Sequence, residues 1–167
     1  MNVDLNVNLH PSHVVSTALT GTVDCELDKQ GRPRLDRPYS ATLTLPVDSL
    51  KCGNALQDRE MRRRLDASRY PTITARVTQG EALSRGGRYL ISARLALHGR
   101  TRAIESTVRL RVTGTTMTVD GDQVINVKDF GVAPPRLIML RMEPEVRVRS
   151  HIVAELQEPT SASRPRG

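Results

Sequence analysis

Aromatic residues are scarce in this 167-residue chain, which has no tryptophan, three tyrosines and one phenylalanine. Proteins that bind single-stranded nucleic acid usually stack bases on aromatic side chains, so the sequence argues against that class despite a net charge of +7. The charge comes from 22 arginines and only three lysines, spread along the chain. We therefore interpret it as a solvated basic surface and predict no nucleic-acid partner.

Cysteines and long apolar runs are also few. Cys25 and Cys52 form no Cys-x-x-Cys pair, and two thiols do not make a disulfide framework. No apolar run approaches the roughly 20 residues that span a bilayer, and the N-terminus lacks the basic and apolar regions of a secretory leader. We predict no membrane span and a cytoplasmic protein. An exported domain whose leader has been removed is the alternative.

What the sequence has in abundance is alternation of apolar and polar residues with a period of two. Strands with one apolar and one polar face are typical of antiparallel sheets, and eight of them can form either a sandwich or a closed barrel. Asp120-Gly121 fits a hairpin turn or one continuous strand kinked at the glycine. The eight alternating segments run over residues 3–9, 23–27, 41–47, 73–77, 89–97, 104–112, 117–127 and 146–156.

One segment breaks the alternation. Residues 54–68 are strong helix formers, with Met61 and Leu65 one turn apart, Asn54 placed as an N-cap, and Pro71 beyond the end. They predict one short α-helix over about residues 55–67, packed over an end of the barrel. The Pro/Ser/Arg-rich residues 157–167 predict a disordered tail, which leaves a single domain over residues 1–156.

Small side chains on the predicted inner face leave room near the barrel axis. An apolar space of this kind favours an apolar ligand, but the composition fits a filled barrel equally well. Both readings stay open at this point. The candidate wall residues are Ala41, Leu43, Ala75, Tyr89, Ala93, Leu95, Ser106, Val108, Ser150 and Ile152, with Met61 added by the helix.

Few residues fit a catalytic or metal site. His10 and His13 lack the third ligand of a catalytic zinc, and no nucleophile elbow or phosphate-binding loop occurs, so we predict no metal and no cofactor. Tyr89 and Asp129 are the pair available to an alternative barrel enzyme of the cyclase or isomerase type, although Asp129 also fits a turn residue. Cys52 lies before the helix, where thiol pKa values can fall, but we expect it to be inert.

Basic side chains near the barrel mouth could hold an anionic head group, since arginine makes charge-assisted bonds with phosphate. A solvated surface is the alternative for the arginines, and a turn residue that hydrogen-bonds to the backbone is the alternative for His98. The candidate head-group residues are Arg62, Arg63, Arg64, His98, Arg100 and Arg102.

Three segments, in order, carry a family resemblance. Residues 58–73 lead from the helix into Tyr70-Pro71, residues 95–102 read Leu-Ala-Leu-His-Gly-Arg-Thr-Arg, and residues 129–132 read Asp-Phe-Gly-Val. Together they resemble the YceI-like (polyisoprenoid-binding, lipocalin-like) family over about residues 3–156. The chain departs from that family at Leu19 and Ala75, where the family usually has phenylalanine.

The resemblance implies an all-β fold, an eight-stranded antiparallel lipocalin-like barrel with one short α-helix and a long apolar channel. It favours the open interior over the filled barrel. The expected function is non-enzymatic binding or carriage of an amphiphilic, isoprenoid-like lipid; the alternatives are the barrel enzyme and a filled-barrel interaction module. The expected partners are an isoprenoid or other lipid-like ligand, with a homodimer left open.

Overall fold

The computed structural model describes residues 2–9, 12–83, 86–133, 136–137, 140–141 and 144–157, and the side chains of residues 14–83, 86–133 and 144–157. Within these residues the chain forms β-strands, one α-helix and two short 3-10 helices. The strands are β1 (Asn2–Leu9), β2 (Ser12–Ser16), β3 (Thr20–Asp24), β4 (Ser40–Pro46), β5 (Thr72–Ala82), β6 (Arg88–Leu97), β7 (Arg100–Thr113), β8 (Thr116–Asn126), β9 (Arg136–Leu137), β10 (Leu140–Arg141) and β11 (Glu145–Glu155). The helices are η1 (Val47–Ser49), α1 (Ala55–Arg64) and η2 (Val127–Phe130).

Nine strands form one curled antiparallel sheet in the order β2-β1-β11-β8-β7-β6-β5-β4-β3. Its two outer strands, β2 and β3, are not joined by a ladder in the described residues, so the sheet is a half-barrel that stays open along this seam. The predicted all-β antiparallel fold with one helix is confirmed. Each of the eight alternating segments contributes a strand to the sheet, and β2 adds a ninth strand that alternation did not predict.

The elements differ from the predictions mainly at their ends. The second alternating segment continues past β3, so Cys25 and Leu27 lie in the connection to β4, where Leu27 makes only an isolated bridge to Pro33. Gly121 lies inside β8, which settles the choice between a hairpin and a continuous strand in favour of the strand. Of the predicted tail, residues 157–167, all but Gln157 lie outside the described residues.

Helix α1 begins as the sequence indicates, because the Asn54 side chain accepts a hydrogen bond from the Leu56 N–H at 2.9 Å. It ends earlier than predicted. Asp66 takes a left-handed conformation (φ 48°), and the Ala67 N–H turns back to the Arg62 carbonyl at 3.0 Å. A left-handed residue after the last turn is a common way to end a helix.

Candidate functional site

The predicted wall residues lie on one face of the curled sheet. Cross-strand partners on this face include Leu43 with Ala75, Ala75 with Leu95, Tyr89 with Val108, and Ile152 with Val119. Cross-strand pairing puts such side chains on the same side of a sheet. The remaining wall candidates follow the same register, namely Ala41 opposite Val23, Ala93 opposite Ile104, Ser106 opposite Ile91 and Ser150 opposite Gly121.

The middle of this inner face is partly accessible rather than sealed. Along β7, every second residue from Ile104 to Val112 is half-buried and the residues between are exposed. In a solidly filled barrel the inward residues would be as buried as Leu95 and Leu97 on β6, which are 6% and 8% exposed. The concave face of β7 therefore borders open space.

A narrow polar belt crosses the inner wall where β7, β8 and β11 meet. A Cβ placed on Gly121 would lie 2.7 Å from Ser150 Oγ and 3.9 Å from Ser106 Oγ, so the missing side chain leaves room for both hydroxyls. Neither hydroxyl has a hydrogen-bond partner in the described part of the chain, and neither is sealed from solvent. The apolar wall is therefore interrupted by two hydroxyl groups that are available to hydrogen-bond a ligand.

Gln123 is a further inner-face residue that the sequence reasoning missed. It is half-buried, lies two residues beyond Gly121 on β8, and pairs with Val148. Strand parity could have found it, but its polar side chain interrupts the apolar pattern from which the wall was inferred.

Helix α1 closes one end of the half-barrel. Met61 and Leu65 pack against a buried cluster that includes Val14 on β2, at 1% exposure. Leu65 also touches a second cluster built on Phe130 of η2. These clusters seal the helix end and leave the middle of the inner face between them and the opposite end. The first cluster comprises Val14, Leu19, Leu45, Leu50 and Ile152, and the second Leu95, Leu97, Phe130 and Val132.

The connection between β3 and β4, residues 25–39, lies across the opposite end. Asp28 shapes it: its Oδ1 accepts the N–H groups of Gln30 and Arg32, each at 2.9 Å. The connection contacts the sheet at the Tyr39 hydroxyl, which accepts the Gly80 N–H at 2.8 Å. Tyr89 is buried at this end, and burial raises the pKa of its phenol. The alternating pattern did not predict that residues 25–39 cover this end of the half-barrel.

The proposed catalytic pair of the barrel-enzyme alternative does not come together. Tyr89 lies near the start of β6, whereas Asp129 lies exposed on η2, whose Phe130 packs on Leu97 at the end of β6. Eight strand residues span about 26 Å. No atom of a small substrate could touch both side chains, so this enzyme hypothesis loses its geometry.

Two of the three candidate head-group arginines on helix α1 bind one carboxylate. Arg63 and Arg64 both bind Glu60, at 2.7 Å and 2.8 Å, and Arg64 also donates to the Ala133 carbonyl at 3.2 Å. Arg62 lines a shallow surface groove with Asp48 and Asp66 instead of the inner face. Of these three, Arg64 is the one held toward the closed helix end.

The other head-group candidates meet at the β6–β7 hairpin. His98 has a left-handed backbone and donates from Nδ1 to the Phe130 carbonyl at 3.0 Å, so its ring is a turn-stabilising group. Arg100 stacks on Gly131, its guanidinium within 3.1 Å of where a Cβ would lie. Arg102 is exposed and donates to the Thr101 carbonyl at 3.2 Å. Arg64 and Arg100 thus approach residues 131–133 from two elements.

The cysteines are not activated. Burial, followed by the nearby Asp58 carboxylate, raises the pKa of the Cys52 thiol. The possibility of a lowered pKa is therefore wrong, and the expectation of an inert residue stays a prediction. Burial and then Asp24 likewise raise the pKa of Cys25. Asp58 is itself only 9% exposed and accepts the Cys52 N–H at 2.6 Å, which fixes the loop before α1.

We expect acid to weaken helix α1 through Glu60. The hydrogen bond from Arg63 holds the pKa of Glu60 at about 2, below its ordinary value of 4.5. Because the folded pKa is lowered, the ion pair stabilises fully above pH 4.5 and is lost as pH falls toward 2. Thermal melts followed by circular dichroism across that range should show a smaller acid-induced drop in Glu60→Gln. Glu105→Gln, whose carboxylate makes no ion pair in the described residues, should keep the original drop; equal drops in both variants would contradict the assignment.

Among the described residues, no group of three or more potential ligands could hold a metal ion. His10 and the side chain of His13 fall outside those residues. Within the same part of the chain, no helix combines the length and apolar character needed to cross a membrane.

Comparison with solved structures shows the same fold in three bacterial proteins. Burkholderia cenocepacia BcnA has a TM-score of 0.73 at 21% identity, covering 92% of this chain and 95% of that one. The Campylobacter jejuni YCEI protein has a TM-score of 0.71 at 14% identity, with 87% and 85% covered. A polyisoprenoid binding domain from Saccharophagus degradans, implicated in plant cell wall breakdown, has a TM-score of 0.65 at 19% identity, with 93% and 94% covered.

At these identities the likeness establishes the fold. Among curated proteins, none matches the chain significantly in sequence. The YceI-like domain model, however, matches residues 4–154, nearly the whole of the described chain. The chain therefore belongs to the YceI-like domain family.

Proposed function

We propose that the protein binds an amphiphilic, isoprenoid-like lipid non-covalently along the concave face of the half-barrel. The observation that carries this proposal is the half-buried apolar wall between two closed ends, with inward residues of β7 that no packed core covers. Burial of apolar ligand surface there contributes roughly 25 cal/mol per Å². The Saccharophagus degradans neighbour, a polyisoprenoid binding domain, supports the same class of ligand.

Binding rather than catalysis fits the chemistry of the wall. Between the two ends, the described inner face offers Ser106, Gln123 and Ser150 as polar groups and no carboxylate, imidazole or ammonium. General acid–base catalysis needs a titratable group within hydrogen-bond reach of the substrate. The polar groups present can orient an oxygen of the ligand but are poor proton carriers near neutral pH.

We assign the ligand's head group to the helix end as part of this proposal. Arg64 and Arg100 approach residues 131–133 there, and Arg102 extends from the same hairpin. Charge-assisted hydrogen bonds from guanidinium groups suit a phosphate or pyrophosphate. The opposite end, covered by residues 25–39, then receives the hydrocarbon tail. The compartment in which the protein meets such a lipid stays a prediction.

Native mass spectrometry of protein purified without detergent or extraction tests the proposal. We expect a bound adduct that organic extraction releases and that is a lipid by fragmentation. Protein stripped in this way should rebind farnesol, an isoprenoid alcohol, and should ignore citrate, a polar anion of similar size. Recovery of empty protein that also fails to bind farnesol would overturn the proposal.

A further inference from the structure

The outward face of β5, β6 and β7 carries two pairs of arginines that face each other directly. Arg76 on β5 is opposite Arg94 on β6, and Arg88 on β6 is opposite Arg109 on β7. All four are exposed, as is Arg111 on β7. We call these five residues the arginine band. Its two pairs lie about 20 Å apart along β6.

The charge of the band is not neutralised within the described chain. None of the five guanidinium groups has a carboxylate within ion-pair distance there, and none makes a side-chain hydrogen bond or ring contact with another described residue. Glu81 and Glu105 are the carboxylates of this face, and five arginines outnumber them. Asp120 lies opposite Arg109 but accepts a hydrogen bond from His151 Nδ1 at 2.6 Å.

On the neighbouring outward face of β8 and β11, the arginines are paired with a carboxylate. There Arg147 binds Asp122 through two hydrogen bonds of 2.8 Å and 2.6 Å, and Arg149 lies 3.7 Å from the same carboxylate. On its outward face, the sheet therefore pairs arginines with a carboxylate at β8 and β11 but sets arginines opposite one another at β5, β6 and β7.

Like charges directly opposite each other destabilise an antiparallel sheet. Exchanging one arginine of each pair for a neutral residue would relieve the repulsion, yet the chain places two such pairs on one face. Departures from a local rule are expected where a surface serves a function. Such a surface fits a partner whose negative charge neutralises the arginines of the band.

We propose that the arginine band docks the protein on an anionic lipid bilayer, where a carrier would exchange its cargo. The inference rests on the proposed function for the choice of a bilayer. The geometry favours it too, because a convex sheet meets a flat surface along a strip, whereas it meets a convex duplex at few points. Single-stranded nucleic acid is disfavoured because the described aromatic residues are buried or half-buried away from the band.

Vesicle sedimentation with cargo-free phosphatidylcholine vesicles, with or without phosphatidylglycerol, tests the docking. A basic residue near an anionic membrane strengthens binding roughly fivefold, so Arg94→Gln/Arg109→Gln should bind phosphatidylglycerol vesicles about 25-fold more weakly than the parent protein. The matched control is Arg147→Gln/Arg149→Gln, which removes the same charge from paired arginines and should weaken binding much less. Arg94→Lys/Arg109→Lys should keep most of the affinity.

Melting temperatures of the same variants test whether misfolding causes the loss of affinity. Because Arg94→Gln/Arg109→Gln relieves repulsion, it should melt at the same or a higher temperature than the parent protein. Three results would overturn the inference: no preference for phosphatidylglycerol, equal weakening in both double variants, or tighter, band-dependent binding to duplex DNA than to vesicles. Farnesol binding is measured separately without vesicles. Its absence would remove the proposed function while leaving a positive vesicle result intact.

Discussion

Phenylalanine in place of Ser106 should weaken binding of an isoprenoid roughly 70-fold while leaving the fold intact. Ser106 lies midway along the inner face of β7, half-buried and opposite Ile91, and its hydroxyl borders the gap left by Gly121. A phenyl ring there would fill the open space between β7 and β11. If the ligand loses about 100 Å² of buried surface, binding weakens by about 2.5 kcal/mol, or roughly 70-fold.

Thr107→Phe is the matched control, because the next residue on β7 is exposed on the outward face. The same side chain is added to the same strand, and only its direction differs. Calorimetric titration with farnesol should show roughly 70-fold weaker binding in Ser106→Phe and unchanged binding in Thr107→Phe, with equal circular dichroism spectra. Unchanged affinity in a folded Ser106→Phe protein would mean that the ligand does not occupy the inner face.

Alternation predicted the strands well because it reports burial of one face, which is what the sheet requires. It missed β2 for the same reason. In β2 the adjacent valines Val14 and Val15 are 1% and 38% exposed, and two consecutive apolar residues show no period of two. Alternation also does not indicate where strand hydrogen bonding ends. Cys25 and Leu27 continue the alternating pattern of β3, although the ladder with β4 ends at Asp24.

The candidate site was only partly predictable. Strand parity fixed which residues share the inner face, because one register shift would reverse every side chain. It could not fix whether the sheet closes, since that depends on whether the edges β2 and β3 reach each other. The cap of residues 25–39 relies on Asp28 hydrogen bonds to the backbone, and these leave no periodic trace. The i,i+3 and i,i+4 spacing of Glu60 with Arg63 and Arg64 did hold the signal for their ion pairs.

Phe130→Ala should be the most destabilising single substitution in the helix-end core. Phe130 is the chain's one phenylalanine and is 1% exposed, packed against Leu95, Leu97 and Val132. Truncation of a buried phenylalanine costs about 3–5 kcal/mol because it removes apolar contacts and leaves a cavity. Natural domains are stable by only about 5–15 kcal/mol, so the variant should approach the limit of folding.

The loss should come from the ring alone. The backbone carbonyl that accepts the His98 hydrogen bond remains in the alanine variant. Leu56→Ala is the control, since Leu56 is 75% exposed and surface truncations usually change stability by less than about 0.5 kcal/mol. Urea unfolding should give a lower midpoint with an unchanged slope for Phe130→Ala. A cost below about 1 kcal/mol would mean that the Phe130 cluster is not tightly packed and does not seal the helix end.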